Sequence, residues 1–494
     1  MALPLDLYSI AQVRAQDAHA IETLGIPAYT LMKRAGEGAL HVLRSRWPTA
    51  LQIVVVAGGG NNGGDGYVLA RFARAVGLGV SVLAVVPPGE LHGEARQACD
   101  DYLAGGGELR AFAPELLRAG EVVVDALLGT GARAPQRPAL REAIAAINAC
   151  ERPVLALDLP SGLDGDSGAV LGSAVRADCT ISFVGLKVGL YVGQGPELAG
   201  RIVFDDLGLA PPPGLGRPVL QRLQEALIGQ ALPHRARDAH KGDFGHVLVI
   251  GGQPGMPGAV RLAGEAALRV GAGRVTVATA PENVVAVVAG RPELMVLGVS
   301  ADGALRAAVA AADVVAIGPG LGQDRGSRAL LDLALQSGKP LVIDADALNL
   351  LARDGLRPPA QAILTPHPGE AARLLGCGTA EIQRDRCAAL RQLVQRCGGI
   401  VVLKGAGTLV GSEPEVPAIC ERGNSGMAGP GMGDVLTGAI AGILGQCRDP
   451  WLAARVGVLV HAMAGDELAR TVGGRGMLAG EVAEELTRWV NLGS

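Results

Sequence analysis

Two glycine-rich segments lie far apart in this chain, and each ends near an aspartate that leads into a predicted helix. The first, residues 58–66, directly follows an apolar run at residues 51–57. The second, residues 423–434, directly precedes the apolar start of another helix. Glycine leaves the backbone N–H groups of such segments free to approach an anionic ligand closely. The sequence therefore predicts two phosphate-binding sites, and hence two reactions on one chain.

Short apolar strands and helices alternate along both halves of the chain, which favours parallel, doubly wound sheets. One series runs from the strand at residues 51–57, and a second begins with a strand at residues 247–250. A chain of 494 residues exceeds one ordinary hydrophobic core, and the proline-rich residues 211–218 are typical of a linker. We therefore expect a Rossmann-like three-layer α/β domain at residues 1–215 and a second α/β domain at residues 225–494.

The composition excludes several classes of protein. A formal net charge of −4 offers no basic surface for nucleic acid, and no apolar stretch approaches the roughly 20 residues that span a bilayer. The N-terminus lacks the basic start and long apolar core of a signal peptide, so we expect a cytoplasmic location. The eight cysteines form no Cys-x-x-Cys pair and match no zinc spacing.

Lysine is rare in this chain, since only five of the 44 basic residues are lysine. A lysine that persists against such a bias can be required for its compact ammonium group, which arginine does not imitate. Lys187, Lys241 and Lys404 lie in glycine-rich surroundings near the candidate sites. Chance explains these positions equally well.

Two loops of the first half are suited to phosphate. Residues 61–65 open a predicted helix, whose amides and dipole favour an anion, and residues 129–131 form a second glycine-containing loop after a strand. The spacing is not Gly-x-Gly-x-x-Gly, and no acidic ribose-binding residue follows at the usual distance. The pattern therefore disfavours an ordinary Rossmann dehydrogenase.

Oxygen-bearing side chains follow three strands of the first half, at the sheet edge where such loops meet. Asn62, Asp125 and Ser161 could surround a monovalent cation. Asp158 would then be free to act as a general acid or base. The alternative is that Asp125 and Asp158 merely cap the loops that follow them.

Three motifs of the first half resemble, in this order, the NAD(P)H-hydrate epimerase family: residues 61–66, 124–131 and 158–162. The resemblance covers about residues 9–210 and implies interconversion of the R and S forms of hydrated NADH or NADPH. It implies a potassium ion bound by Asn62, Asp125 and Ser161, and it leaves the role of Lys187 open. The residues implied in substrate binding are Asn61, Asn62, Gly63, Gly64, Asp65, Gly129, Thr130, Gly131 and Asp158.

The second half carries a glycine-rich anion site next to Asp434. This arrangement suits phosphoryl transfer to an alcohol, because amides stabilise the phosphoryl charge while the carboxylate takes the hydroxyl proton. Glu370 could hold a magnesium ion through water. His367 either contacts substrate or has a structural role.

Several segments across residues 225–490 resemble the ADP- or ATP-dependent NAD(P)H-hydrate dehydratases, of ribokinase-like fold. They are residues 240–242, 255–259, 318–322, 344–349, 365–370, 404–408 and 433–434. The resemblance implies that an adenine nucleotide, ADP with Mg²⁺, contacts Lys404, Gly405, Ala406, Gly407, Thr408 and Gly433. It implies that the hydrated nicotinamide nucleotide contacts Ala259, Gly322, His367 and Asp434.

Three residues depart from that family pattern. Ser425 stands where proline is common, and Pro430 and Met432 stand where alanine and serine are common. No side-chain hydroxyl can act at position 432, and Pro430 lacks a backbone N–H. The neighbouring glycine and aspartate amides survive these changes, so we expect the nucleotide site to be intact.

The sequence therefore predicts a bifunctional nicotinamide nucleotide repair enzyme. The first domain would epimerise the hydrates, and the second would dehydrate the S form with consumption of ADP or ATP. We also expect a homo-oligomer, with small-molecule substrates and no nucleic-acid or membrane partner. The alternative is a ribokinase-like small-molecule kinase fused to a non-catalytic ligand-binding module, because the fold alone does not decide the function.

Overall fold

The structure, a computed structural model, describes residues 3–131, 135–212, 214–299 and 302–492. The chain forms two compact units, one that extends to Leu220 and one that begins at Gln221. Within the described ranges, no helix is both long enough and apolar enough to cross a lipid bilayer.

The first unit is built on a parallel sheet with the strand order β4-β3-β2-β5-β6-β7-β8. The strands of this unit are β1 (Asp6–Leu7), β2 (Gln52–Ala57), β3 (Gly79–Ala84), β4 (Leu109–Ala111), β5 (Val122–Ala126), β6 (Val154–Leu157), β7 (Cys179–Phe183) and β8 (Arg201–Asp205). Its helices are α1 (Ile10–Glu22), α2 (Ala28–Arg46), α3 (Asn61–Ala75), α4 (Gly93–Ala104), α5 (Pro138–Ala149) and α6 (Gly195–Leu198). The strand order reverses between β2 and β5, where a crevice opens at the carboxyl ends of the strands.

Helices cover both faces of this first sheet. Successive strand residues point to opposite faces, and β2 shows the alternation. Ile53 and Val55 belong to a core shared with α2 and α3, whereas Val54 and Val56 belong to a core shared with α5. The predicted three-layer α/β architecture is therefore confirmed for this unit.

The second unit is built on a mixed sheet that contains the order β9-β18-β17-β16-β15-β14-β13-β10-β11-β12. Its strands are β9 (Leu220–Arg222), β10 (His246–Ile250), β11 (Arg274–Thr279), β12 (Met295–Gly298), β13 (Val314–Ile317), β14 (Leu341–Ile343), β15 (Ile363–Leu364), β16 (Ile400–Leu403), β17 (Thr408–Gly411) and β18 (Ala418–Cys420). The strands from β16 to β12 are parallel, and β16, β17 and β18 form an antiparallel meander.

Helices surround the second sheet. They are α7 (Ala226–Ala231), α8 (Pro257–Arg269), α9 (Val284–Gly290), α10 (Asp302–Ala311), α11 (Arg325–Leu335), α12 (Ala345–Asp354), α13 (Pro368–Leu375), α14 (Thr379–Arg384), α15 (Arg386–Cys397), α16 (Met432–Cys447), α17 (Pro450–Val472) and α18 (Ala479–Trp489). Helix α16 is buried along nearly its whole length and packs on α8 and α17.

The first glycine-rich segment differs from the prediction. The sequence predicts a loop at residues 61–65 with a helix from Asp65, but α3 already begins at Asn61. Glycine disfavours a helix by up to about 1 kcal/mol per residue, yet packing requires it here. A Cβ at Gly63 would lie 2.1 Å from the carbonyl oxygen of Gly58. Close backbone approach therefore explains the helical glycine at position 63.

Glycine also sets the spacing between α8 and α16. A Cβ added at Gly438 would lie 1.9 Å from the carbonyl oxygen of Ala263. Because the obstacle is backbone, the two helices would have to separate. We expect Gly438→Ala to destabilise the protein by about 1–3 kcal/mol through overpacking, measured as a lower thermal unfolding temperature.

Gly480→Ala is the matched control for this prediction. Gly480 lies in α18 with nothing within 4 Å of its would-be Cβ. Alanine there is expected to be neutral or to stabilise the helix by up to about 1 kcal/mol. Equal unfolding temperatures for the two variants would contradict the close α8–α16 packing.

Candidate active sites

A cavity of about 1440 Å³ opens in the first unit at the carboxyl ends of β2, β5 and β6. It exceeds the usual volume of a drug-sized ligand site, which is about 300–1,000 Å³. The predicted site residues that line it are Asn61, Asn62, Asp65, Gly129, Thr130, Gly131 and Asp158. Gly63 and Gly64 are buried inside α3 instead, where they permit close packing.

The three predicted potassium ligands gather around residues 127–129. Ser161 Oγ donates a hydrogen bond to Asp125 Oδ1 at 2.6 Å and accepts one from Leu128 N at 2.8 Å. A Cβ at Gly129 would lie 3.3 Å from the Asn62 side chain. Burial raises the pKa of Asp125 to about 6, although the hydrogen bonds from Ser161 oppose the shift.

Asn62 is the strongest sign of a ligand in this region. Its amide oxygen and nitrogen are both buried, and neither has a hydrogen-bond partner in the described part of the chain. A buried polar atom without a partner is costly. A cation bound by Oδ1 would supply the missing partner of that atom. These residues therefore fit the potassium ion that the resemblance implies.

Asp158 forms a buried ion pair with Lys187, whose role the sequence leaves open. The Lys187 ammonium donates to Asp158 Oδ1, to Phe183 O at 2.7 Å and to Ser182 Oγ at 3.2 Å. The Lys187 side chain is 1% exposed. Lys187 therefore neutralises Asp158 and holds its carboxylate at the cavity wall.

The backbone around Asp158 is strained. Asp158 has a φ of 64°, and Val184, which also lines the cavity, has a φ of 66°. A β-branched residue in this left-handed region is an outlier, and such strain concentrates at functional sites. The strain is observed beside the predicted catalytic carboxylate.

Two further aspartates line the same cavity. Burial raises the pKa of Asp17 to about 6, with Lys187 lowering it and Asp158 raising it. Burial, with the charges of Asp158 and Asp17, raises the pKa of Asp65 well above its ordinary value. Asp17 is not among the residues predicted from the sequence, because a lone aspartate on α1 carries no motif signal.

In the second unit, Lys404 is the centre of a second buried charge cluster. Its Nζ donates to Asp344 Oδ1 at 2.8 Å and lies 3.8 Å from Glu370 Oε2. Asp344 Oδ2 accepts from Thr437 Oγ1 at 2.8 Å. Burial lowers the pKa of Lys404, but the charges of Asp344, Glu370 and Asp434 outweigh it and raise that pKa.

Asp344 was missing from the predicted site residues, although the sequence offers a signal for it. It directly follows β14 and caps α12, so it lies at the same sheet edge as the predicted residues. Ala345 after it has a φ of 50°, which is unfavourable for alanine. Strain again lies next to a charged group of the site.

Glu370 and Asp434 both titrate near neutral pH. Burial raises the pKa of Glu370 to about 7, with Lys404 lowering it and Asp344 raising it. Burial and the charge of Asp344 raise the pKa of Asp434 to about 7, while Lys404 lowers it. A carboxyl group with such a pKa suits proton transfer at neutral pH.

The N-terminus of α16 presents free backbone amides. The first intrahelical bond runs from Val435 N to Gly431 O at 3.0 Å, so the amides of residues 432–434 have no partner within the helix. Gly431 has a φ of 85° as the N-cap. The Met432 side chain is 6% exposed and lies in the core, so the departure at this position is a packing residue.

Arg386 fixes the loop at residues 404–408 through hydrogen bonds to backbone carbonyl groups. Its Nη2 donates to Leu403 O at 3.0 Å, to Lys404 O at 3.2 Å and to Gly407 O at 3.4 Å. The residue is 4% exposed, and burial lowers its pKa to about 10. Arg386 is not among the residues predicted from the sequence, because it fixes the loop without belonging to it.

Gly322 lies on a loop of the second unit, and Ala259 lies at the start of a helix. Gly322 N donates to Asp346 Oδ2 at 2.8 Å. Ala259 lies in the first turn of α8, and its Cβ would be 3.3 Å from a Cβ at Gly320. The glycine-rich loop after β13 therefore meets both the start of α8 and the start of α12.

His367 has a visible structural role. It is the N-cap of α13, where its Nδ1 accepts from Gly369 N at 3.0 Å. Its Nε2 lies 3.3 Å from Glu370 Oε1. Burial and the charge of Lys404 lower its pKa, so the ring is neutral at physiological pH.

Comparison with known proteins matches each half of the chain to one family. Residues 28–189 match the family described as YjeF-related protein N-terminus, and residues 247–488 match NAD(P)H-hydrate dehydratase. A bifunctional NAD(P)H-hydrate repair enzyme from Coxiella burnetii is 47% identical over 98% of this chain and 99% of its own length. One from Escherichia coli is 44% identical over 99% of this chain and 95% of its own. This chain belongs to the bifunctional NAD(P)H-hydrate repair enzymes.

Membership of this repair-enzyme family confirms the prediction made from the motifs of both halves. A ribokinase-like superfamily protein of known structure from Enterococcus faecalis is 31% identical, with a TM-score of 0.51. The match covers 55% of this chain and 95% of that protein. The ribokinase-like fold of the second half is confirmed, and the repair enzyme is favoured over the kinase alternative.

The buried ion pair of the first site can be tested by stability. We expect Lys187→Met to destabilise the protein by about 3–5 kcal/mol, because it leaves the buried Asp158 charge unpaired. The double variant Asp158→Asn/Lys187→Met removes both charges and should recover part of that loss. Chemical denaturation measures both variants against the wild type. An equal loss in the single and double variants would contradict the pairing.

Proposed function

We propose that this chain repairs hydrated NADH and NADPH by two reactions, one in each unit. The second unit dehydrates the S epimer with consumption of ADP or ATP, and the first unit converts the R epimer to S. The observation that carries the proposal is a pair of buried lysine–carboxylate clusters, each at the carboxyl edge of a sheet and beside unpartnered groups suited to phosphate.

In the dehydration, Asp434 takes the proton of the ring hydroxyl while that oxygen attacks the terminal phosphoryl group. The free amides of residues 432–434 and the Lys404 ammonium stabilise the negative charge that develops. The phosphorylated oxygen then leaves the ring carbon as phosphate, and the neighbouring carbon loses a proton. The poor hydroxide leaving group thus becomes a good one, and the reduced nicotinamide ring is restored.

The adenine nucleotide contacts Lys404, Gly405, Ala406, Gly407, Thr408 and Gly433, and the hydrate contacts Ala259, Gly322, His367 and Asp434. Glu370 binds Mg²⁺ through water. This mode suits Mg²⁺, which usually keeps several of its waters and takes other ligands from substrate phosphates. Magnesium neutralises phosphoryl charge when bound. The support for this assignment is the buried Glu370 carboxylate, whose charged form a cation would stabilise.

In the epimerisation, Asp158 transfers a proton to or from the ring hydroxyl. Asn62, Asp125 and Ser161 bind K⁺, which supplies positive charge next to the phosphate-binding loop. The orphaned Asn62 amide supports that assignment. The substrate lies in the cavity against Asn61, Asp65 and residues 129–131, with Gly63 and Gly64 setting the position of α3.

The two reactions are separable by variants. Wild-type protein is mixed with both epimers of NADH hydrate, Mg²⁺ and either ADP or ATP. This mixture should recover the full near-ultraviolet absorbance of NADH. Asp434→Asn should lower the recovery rate of both epimers by about 10²–10⁴-fold, the range of acid–base catalysis. Asp158→Asn should leave recovery of the S fraction intact and slow only the R fraction.

Two results would overturn this proposal. One is an accumulation of a stable phosphorylated product without NADH, which the kinase alternative predicts. The other is wild-type recovery of neither epimer with either nucleotide. Asp449→Asn, which changes a helix cap remote from the named residues, serves as the control for an aspartate-to-asparagine change in the second unit.

The loop held by Arg386 yields a separate expectation for nucleotide binding. Lysine cannot reproduce the three carbonyl contacts of one guanidinium. We expect Arg386→Lys to weaken ADP binding about tenfold, because one net hydrogen bond to a charged group corresponds to roughly 1.5–3 kcal/mol. Isothermal titration calorimetry measures this, with Arg396→Lys, an exposed position on the same helix, as control. Unchanged affinity in Arg386→Lys would contradict the role of the loop.

A further inference from the structure

Asp17 reaches the cavity of the first unit from a different element than Asp158. Asp158 follows β6, whereas Asp17 lies on α1, and both side chains line the cavity. Helix α1 is fixed over this cavity, since Arg14 Nη2 donates to Thr130 O at 2.8 Å. The two carboxyl groups therefore line one cavity from different elements of the fold.

The Asp17 carboxyl group takes no part in the hydrogen bonds among the described residues. No described residue donates a hydrogen bond to its carboxyl group, although burial and the nearby Asp158 raise its pKa to about 6 against the opposing Lys187. Asp158 Oδ1 accepts from Lys187 and from Phe183 N, while its Oδ2 has no hydrogen-bond partner among the described residues. Lys187 thus holds the Asp158 carboxylate in place, whereas burial biases Asp17 toward its acid form.

An independent feature indicates a ligand in this same space. The amide of Asn62 lines the cavity, is 7% exposed and has no partner for either polar atom within the described residues. Such a group is expected to bind something other than protein. The carboxyl groups therefore face a ligand site and not merely a solvent-filled gap.

Inversion of the hydrated ring carbon requires proton transfer on both faces of the ring, which one carboxyl group does not provide. The hydroxyl must leave from one face of the ring, and water must add to the opposite face. Assistance to both halves needs an acid on one side and a base on the other. Asp158 alone can serve only the face that it touches.

We propose that Asp17 is the second proton-transfer residue of the epimerase site and serves the ring face that Asp158 does not. This inference rests on the proposed epimerase function. In one direction Asp17 protonates the hydroxyl, the carbon–oxygen bond breaks and water leaves. The ring nitrogen supplies its electron pair and becomes an iminium. Water then adds from the other face, and Asp158 takes its proton.

Each turnover in that direction moves one proton from Asp17 to Asp158, and exchange with solvent restores the starting state. The reverse direction uses the same two groups with their roles exchanged. The active form therefore carries one proton shared between the two carboxyls. The other charged or titratable side chains that line the described part of this cavity are Arg14, Asp65, Glu90, His92, Glu94, Arg137 and Lys187. Lys187 pairs with Asp158.

The test measures epimerisation of the separated R and S hydrates by full-length protein without nucleotide, corrected for the uncatalysed rate. Asp17→Asn should lower kcat in both directions by about 10²-fold or more with little change in KM. Asp17→Glu should restore part of the rate. Dehydration of the S epimer with ADP should stay at the wild-type level in the same preparation, and Glu22→Gln, an exposed position on the same helix, is the control.

The pH profile separates a chemical role from a structural one. In the wild type, kcat/KM should fall as the pH rises through about 6, because Asp17 loses the shared proton there. The residual rate of Asp17→Asn should lack this fall, whereas Glu22→Gln should keep it. A thermal unfolding temperature equal to that of the wild type excludes loss of folding as the cause.

The outcomes distinguish this inference from the function on which it rests. Wild-type protein that leaves the R epimer unchanged overturns the epimerase function and the role of Asp17 together. An active wild type with an equally active Asp17→Asn variant overturns only the role of Asp17. Loss of activity in Asp65→Asn but not in Asp17→Asn reassigns the second proton transfer to Asp65 and also overturns the inference.

Discussion

Both sites depend on a lysine ammonium that is buried among carboxylates at the carboxyl edge of a sheet. Lys187 pairs with Asp158 in the first unit, and Lys404 pairs with Asp344 in the second. Removing charges from water is costly unless each has a partner of good geometry. Each lysine therefore satisfies the carboxylate that it contacts most closely, while burial keeps the pKa of neighbouring carboxyl groups raised.

The strained backbone lies beside these same ion pairs. Asp158 and Ala345 both have positive φ angles, and Val184 does so where the cavity wall passes Lys187. Such conformations cost on the order of 1–3 kcal/mol each and persist when surrounding contacts over-determine them. The parallel strands supply those contacts, because their carboxyl ends fix where each loop begins. The rigid sheet thus positions side chains that the loops alone would leave free.

Several elements were predictable because the signal is local. Ser9 and Gln12 have the spacing of a capping box in the sequence, and the structure contains both hydrogen bonds of this box at the start of α1. Other features were not local. Strand β7 was not predicted, since a short, fully buried run lacks the alternation that distinguishes strand from helix. The helical start of α3 at Asn61 depends on close packing against Gly58, which no propensity reveals.

Only two of the three lysines in glycine-rich surroundings belong to a candidate site. Lys187 and Lys404 lie in the two buried clusters, whereas Lys241 is exposed. Sequence position near glycine therefore does not separate a site lysine from a surface lysine. Burial separates them, because only a buried ammonium requires a carboxylate partner.

The sequence by itself determined the two α/β units, the family and most residues at the strand ends, because motifs and apolar periodicity are carried by neighbouring residues. The tertiary structure alone decided which side chains share a site. Asp17 and Arg386 reach the two sites from helices with no motif signal. Asp344 belongs to a recognisable segment, but only its contact with Lys404 places it in the second site. Their roles depend on distances, burial and charge across the fold, and these arise only when segments distant in sequence pack together.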